Sequence, residues 1–107
     1  MTRIRILNQQ HKTTMITLTG HADYDPGHDI VCSAISLLAY TLINYMLEYH
    51  PEALPAYQDD PGNFVICIDR SAGPSPEIDT AICMFEIGAE SLAGNYPENV
   101  EVNNDTI

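Results

Sequence analysis

A histidine and a cysteine that flank one short polar loop could together carry out nucleophilic chemistry. His21 precedes the loop, and Cys32 follows it at the start of a long apolar segment. A thiol in the first turn of a helix faces unpaired backbone N–H groups and the positive end of the helix dipole, and both favour the thiolate. A histidine within reach can accept the thiol proton. The pattern therefore predicts a thiolate nucleophile with a general base. The structural alternatives are a cysteine that only packs as a small apolar residue and a hydrogen-bonded histidine at a strand end.

Three neighbouring residues could support this pair. Gly20 would give the backbone the freedom to place the His21 ring or to hinge the loop. Asp29 is predicted to cap the helix N-terminus, and it could also orient a catalytic ring; its charge would oppose the effect of the dipole on the thiol. Ser36 lies one turn after Cys32, where it could hydrogen-bond near the thiol or bond back to a helix carbonyl. Backbone N–H groups near Cys32 could supply an oxyanion hole.

A second histidine in the loop, His28, raises a zinc site as an alternative, because imidazole and thiolate both suit zinc. No fourth ligand stands out beside His21, His28 and Cys32, so we predict neither a metal nor a cofactor. The other two cysteines, Cys67 and Cys83, fall in apolar segments and are predicted to pack in the core.

The composition predicts a single domain over residues 1–107 with a strongly acidic surface. The chain has 107 residues, a length that suffices for one modest core. Its formal net charge is −11. Such a surface repels phosphate backbones, so direct nucleic-acid binding is not expected. It would attract a basic partner protein, although acidity can also serve solubility alone.

The chain is predicted to reside in a reducing cytosol. Its three cysteines include no CxxC pair and do not form a disulfide scaffold. The first five residues begin no apolar signal segment. The uncharged stretch 30–47 approaches the length of a membrane span. Four polar residues interrupt that stretch, and no Lys or Arg cluster flanks it, so it fits a helix inside a domain or at a dimer interface better.

Hydrophobic periodicity predicts five strands and two helices. Alternating or continuous apolar runs predict strands at 3–8, 14–19, 56–60 and 64–68, the fourth buried on both faces, and Val100 and Val102 indicate a last strand before a frayed tail. A helix is predicted over about 30–49, apolar nearly all round and therefore covered on most sides. A second follows an N-cap at Ser75 and ends near 94–97. The order β-β-α-β-β-α-β indicates an α+β fold, two helices on a mixed sheet.

The stretch from Gly20 to Ser36 resembles the signature of the ribosomal-processing cysteine protease family, known as Prp. The shared pattern is a Gly-His-Ala triplet, a loop with aromatic and glycine residues, and an Asp-Ile-Val-Cys segment followed by small residues, an aliphatic residue and serine. Here these are Gly20-His21-Ala22, Tyr24, Gly27, Asp29-Ile30-Val31-Cys32, Ser33-Ala34, Ile35 and Ser36. The late segment Asn95-Tyr96-Pro97 with Val100 is also similar to the family, so the likeness covers most of the chain.

This resemblance implies a cytosolic bacterial cysteine endopeptidase that forms homodimers. The family removes a short N-terminal extension from a large-subunit ribosomal protein, cutting after an apolar sequence that contains aromatic residues. Cys32 matches the nucleophile and His21 its general base, while Asp29 and Ser36 match supporting positions. Tyr24 would anchor the loop or contact the substrate.

Two departures from the family pattern bear on the substrate. The loop is about one residue shorter than the family pattern, and it carries Asp25-Pro26 and the extra His28. Because such a loop would close over the peptide, a relative with this loop could cut another protein, such as a phage structural protein. The alternatives to an endopeptidase are a non-catalytic acidic dimer that binds a basic partner and a small redox sensor, although no resolving cysteine lies close in sequence.

Overall fold

The computed structural model describes residues 1–9, 12–25, 27 and 29–106. Its strands are β1 (Thr2–Gln9), β2 (Thr13–Thr19), β3 (Ala56–Asp60), β4 (Asn63–Asp69) and β5 (Val100–Thr106), and its helices are α1 (Ile30–Tyr49) and α2 (Pro76–Asn95). A short 3-10 turn at Pro51–Ala53 follows α1. The predicted α+β class and element order are confirmed. Pro26 and His28, two of the loop residues that depart from the family pattern, lie outside the described residues; His28 is also the third member of the zinc alternative.

The five strands form one mixed sheet in the order β3-β4-β2-β1-β5. Neighbours pair antiparallel except β1 and β5, which are parallel. Alternate residues of β1, β2 and β4 point into one core that they share with both helices, because successive side chains of a strand face opposite sides. The fully buried strand residues include Ile4, Ile6, Ile16, Ile66 and Ile68.

Two expectations for the strands are wrong. β4 was expected to be buried on both faces, but Val65 and Cys67 are only half-buried because the helices cover one face of the sheet. The tail was expected to fray after Val102, but β5 continues to Thr106 and pairs with β1 up to Asn8. After Val102 the sequence of β5 is polar and has no apolar alternation, so the pairing there depends on the backbone of β1.

The two helices are less covered than their sequences predict. α1 is long and apolar enough to cross a membrane, yet Val31, Ile35 and Ile43 are buried in the same core as the sheet. Leu37 on its outer side is 69% exposed, so the expectation that α1 is covered on most sides is wrong for this chain alone. Cys83 on α2 is exposed rather than packed in the core, because it lies off the buried stripe of that helix.

Candidate active site

Cys32 lies in the first turn of α1, and Asp29 is the residue that begins this helix. The Asp29 Oδ1 atom accepts the backbone N–H of Cys32 at 2.9 Å, which confirms the predicted N-cap. The Oδ2 atom accepts the backbone N–H of Tyr24 at 3.0 Å. One carboxylate therefore begins the helix that carries the thiol and also ties down the loop that precedes it.

The ionised form of Asp29 is favoured by these bonds. Partial desolvation opposes ionisation, but the N–H donors of Cys32 and Tyr24, with smaller contributions from the Cys32 thiol and Val31, lower the pKa of Asp29 below its ordinary value of 3.8. The carboxylate also occupies the N–H of Cys32, while the N–H of Ser33 donates to the Asp29 carbonyl. An oxyanion hole built from these two N–H groups is therefore not available while Asp29 caps the helix.

We expect Asp29→Ala to lower the free energy of unfolding at neutral pH by about 1 kcal/mol, because α1 loses its cap. The folded pKa lies below the unfolded value, so this contribution is complete above the unfolded pKa and disappears as the pH falls through the folded pKa. Denaturant unfolding of both proteins between pH 7 and pH 3 measures the difference. Ser75→Ala is the matched control.

Ser75 caps α2 through an uncharged hydroxyl that accepts the N–H of Ile78 at 3.3 Å. Its replacement should cost a similar free energy that changes little across the same pH range. A difference for Asp29→Ala that stays constant down to pH 3 would contradict the assignment of a charged cap.

His21 is held between two anchored neighbours at the end of β2. On one side, Gly20 donates its N–H to the Gly62 carbonyl at 2.9 Å and has a φ of +86°. A Cβ at Gly20 would also clash with the Met1 carbonyl oxygen, so glycine is required there. On the other side, Ala22 is fully buried, and its carbonyl accepts the Asn99 side-chain amide at 2.9 Å. The exposed His21 ring is thus carried by a fixed backbone.

His21 and Cys32 line the same solvent-open groove of about 210 Å³. Cys32 and Ser36 both line this groove from α1, and Gly20 lines it as well. Apolar side chains also line it: Leu18, Ile35, Ala39 and Phe64.

Tyr24 does not line the groove. Its ring contacts the Tyr96 ring edge-on at 5.2 Å, so Tyr24 anchors the loop to the end of α2.

The opposite wall of the groove comes from the β3–β4 hairpin, which sequence reasoning did not connect to the site. Asp59, Asp60, Gly62 and Asn63 line this wall. Tyr40 of α1 donates a hydrogen bond to Asp59, which raises the pKa of Tyr40 above its ordinary value. The turn residues at 60–63 were recognisable as a turn, but no local signal places a turn beside a histidine some forty residues earlier.

The structure offers no metal centre among the described residues. No group of three His, Cys, Asp or Glu side chains within residues 1–9, 12–25, 27 and 29–106 could hold a metal ion. His28, the third member of the zinc alternative, lies outside those ranges. Cys32, Cys67 and Cys83 are all free thiols.

The groove thus combines a histidine that follows β2 with a thiol in the first turn of α1. These are the two side chains that a cysteine protease uses as general base and nucleophile. The family model of the cysteine protease Prp matches residues 1–101. The chain is therefore a cysteine protease. It belongs to the Prp family.

Similar proteins agree with this assignment. The ribosomal processing cysteine protease Prp of Staphylococcus aureus is 27% identical over 100 residues, which cover 91% of this chain and 92% of that protein. A crystal structure of the essential ribosomal processing protease Prp from S. aureus, in complex with a covalently linked product peptide, superposes with a TM-score of 0.83 at 25% identity, over 98% of this chain and all of that one. SMU.848 from Streptococcus mutans superposes with a TM-score of 0.78 at 27% identity, over all of this chain and 96% of that one.

Proposed function

We propose that this protein is a cysteine endopeptidase that removes a short N-terminal extension from a large-subunit ribosomal protein in the cytoplasm, with Cys32 as nucleophile and His21 as general base. The observation that carries the proposal is the shared groove, which is lined by both side chains and by apolar residues. The S. aureus relatives are named for ribosomal processing, and one was crystallised with a covalently linked product peptide.

In this mechanism the Cys32 thiol gives its proton to His21, and the thiolate attacks the scissile carbonyl carbon. As the C–N bond breaks, the His21 imidazolium donates its proton to the leaving amine, and a thioester remains on Cys32. A water molecule then loses a proton to His21 and attacks the thioester carbonyl. The C–S bond breaks, the new carboxyl end is released, and Cys32 recovers its proton.

The groove has an apolar floor and an acidic wall. Leu18, Ile35 and Phe64 form the floor, but each is at most 8% exposed, so they back the groove without offering a peptide much open apolar area. Asp59 and Asp60 on the hairpin wall add negative charge at the groove, in a chain whose net charge is −11. A basic ribosomal protein would therefore be attracted to this surface at low ionic strength.

The experiment that tests the proposal is cleavage of a quenched fluorescent peptide that carries the aromatic-ended extension. We expect turnover of this peptide and none of a scrambled peptide of the same composition. Turnover of neither peptide by the folded protein would contradict the ribosomal-extension substrate. Panels that vary the aromatic residues would then show whether the shorter loop selects another sequence.

The proposal includes a homodimer, which the family resemblance implies. Leu37, Leu38, Leu42, Met84 and Phe85 line an apolar groove between α1 and α2, and Leu37 and Met84 are 69% and 67% exposed. An exposed apolar surface between two helices is typical of a subunit interface.

We expect Leu37→Glu to convert a dimer into a monomer, because it places a charge on this apolar groove. Sedimentation velocity at micromolar concentration measures the change. Leu54→Glu is the control, since Leu54 is also 69% exposed but does not line the groove. A Leu37→Glu protein that sediments like the original chain would exclude this groove as the interface.

A further inference from the structure

The tight turn between β3 and β4 lies against the His21 ring. Gly62 in this turn has a φ of +72°. A Cβ added to Gly62 would lie 3.1 Å from His21 Nε2, 3.5 Å from Cε1 and 3.7 Å from Cδ2. These are the Nε2 atom and its two bonded neighbours, so the Nε2 corner of the ring points at the bare face of Gly62.

The same glycine also holds the backbone just before His21. The Gly62 carbonyl accepts the N–H of Gly20 at 2.9 Å. Gly62 therefore holds the backbone next to His21 by a main-chain hydrogen bond, and its lack of a Cβ leaves room for the His21 ring. The hairpin is in turn attached to the helix that carries the thiol, because Asp59 accepts the Tyr40 hydroxyl and the rings of Tyr40 and Phe64 meet edge-on at 5.1 Å. The turn, the histidine and α1 therefore form one connected unit.

We propose that Gly62 is a positioning residue for His21: the absence of a side chain at the β3–β4 turn sets where the imidazole sits relative to Cys32. This inference rests on the proposed role of His21 as general base. A proton transfer needs heavy atoms within about 2.6–3.2 Å of each other. A methyl group at 3.1 Å from Nε2 is closer than nine in ten real Cβ contacts, so the ring has to give by a few tenths of an ångström to accommodate it.

We expect Gly62→Ala to lower kcat for the peptide roughly tenfold with KM changed less than about twofold, since a displacement of about 1 Å can cost a hundredfold and this one is smaller. A second readout is the rate of Cys32 alkylation by iodoacetamide across pH, followed by mass spectrometry of the Cys32 peptide. Its pH profile should shift toward that of His21→Ala. In a His21→Ala background, Gly62→Ala should have no further effect, because both changes act on one group.

Gly73→Ala separates the contact from backbone strain. Gly73 also has a positive φ, of +107°, but a Cβ there meets nothing within 4 Å. We expect this variant to keep the kcat and the alkylation profile of the original protein. If Gly62→Ala does not fold, Gly62→Asn tests the same Cβ, because asparagine tolerates the left-handed conformation better than alanine.

The outcomes distinguish this inference from the proposed function. An unchanged pH profile of Cys32 alkylation in Gly62→Ala would overturn the positioning role of Gly62. The same conclusion would follow if Gly62→Ala lowered kcat by the same factor in the original protein and in the His21→Ala background. An unchanged kcat and profile in His21→Ala itself would instead overturn the general base on which the inference rests.

Discussion

Replacing Cys32 by alanine will abolish cleavage of the extension peptide, with an expected fall in kcat of at least about 10⁴-fold. The reason is that the thiolate forms the bond that replaces the scissile amide, and no other group in the described groove is a comparable nucleophile. The fold should persist, because Cys32 is only half-buried and alanine preserves the helix. Initial rates of peptide hydrolysis measure the loss, and circular dichroism with thermal unfolding checks the fold.

Cys83→Ala is the matched control for this experiment. Cys83 is exposed on α2 and does not line the Cys32 groove, so its loss should leave the rate unchanged. Cleavage retained by Cys32→Ala would end the assignment of the nucleophile. Cleavage lost equally in both variants would show that the effect is not specific to the groove.

Replacing His21 by alanine should lower kcat by about 10²- to 10⁴-fold, the usual contribution of general acid–base catalysis. The thiol would lose its proton acceptor, and the leaving amine would lose its proton donor. We also expect slower alkylation of Cys32 by iodoacetamide at neutral pH, because the thiol loses the histidine proposed to accept its proton. Peptide kinetics and alkylation kinetics on the same preparations measure both effects.

His50→Ala is the matched histidine control. His50 caps the other end of α1, where its Nε2 atom meets the Tyr45 hydroxyl at 2.9 Å, and it does not line the groove. Its loss should reduce stability rather than kcat. If His21→Ala alkylates and cleaves at the original rates, another group must serve as the base.

The strands, helices and caps were predictable from the sequence because the signals for them are local. Period-two alternation gave the core faces of β1 and β2, and the caps Asp29 and Ser75 bond to N–H groups only three residues away. The far end of β5 was not predictable, since its polar residues carry no pattern and its order depends on pairing with β1.

The two side chains of the candidate dyad were also recognisable from sequence, because the loop that separates them is short and the thiol follows a helix cap. Only the tertiary structure decided what surrounds them. The hairpin wall with Gly62 joins His21 across some forty residues, and Asn99 reaches Ala22 from near the end of the chain. Capping and periodicity act within a few residues and can be identified in the sequence. Contacts between distant segments depend on sheet order, register and packing, which no single segment encodes.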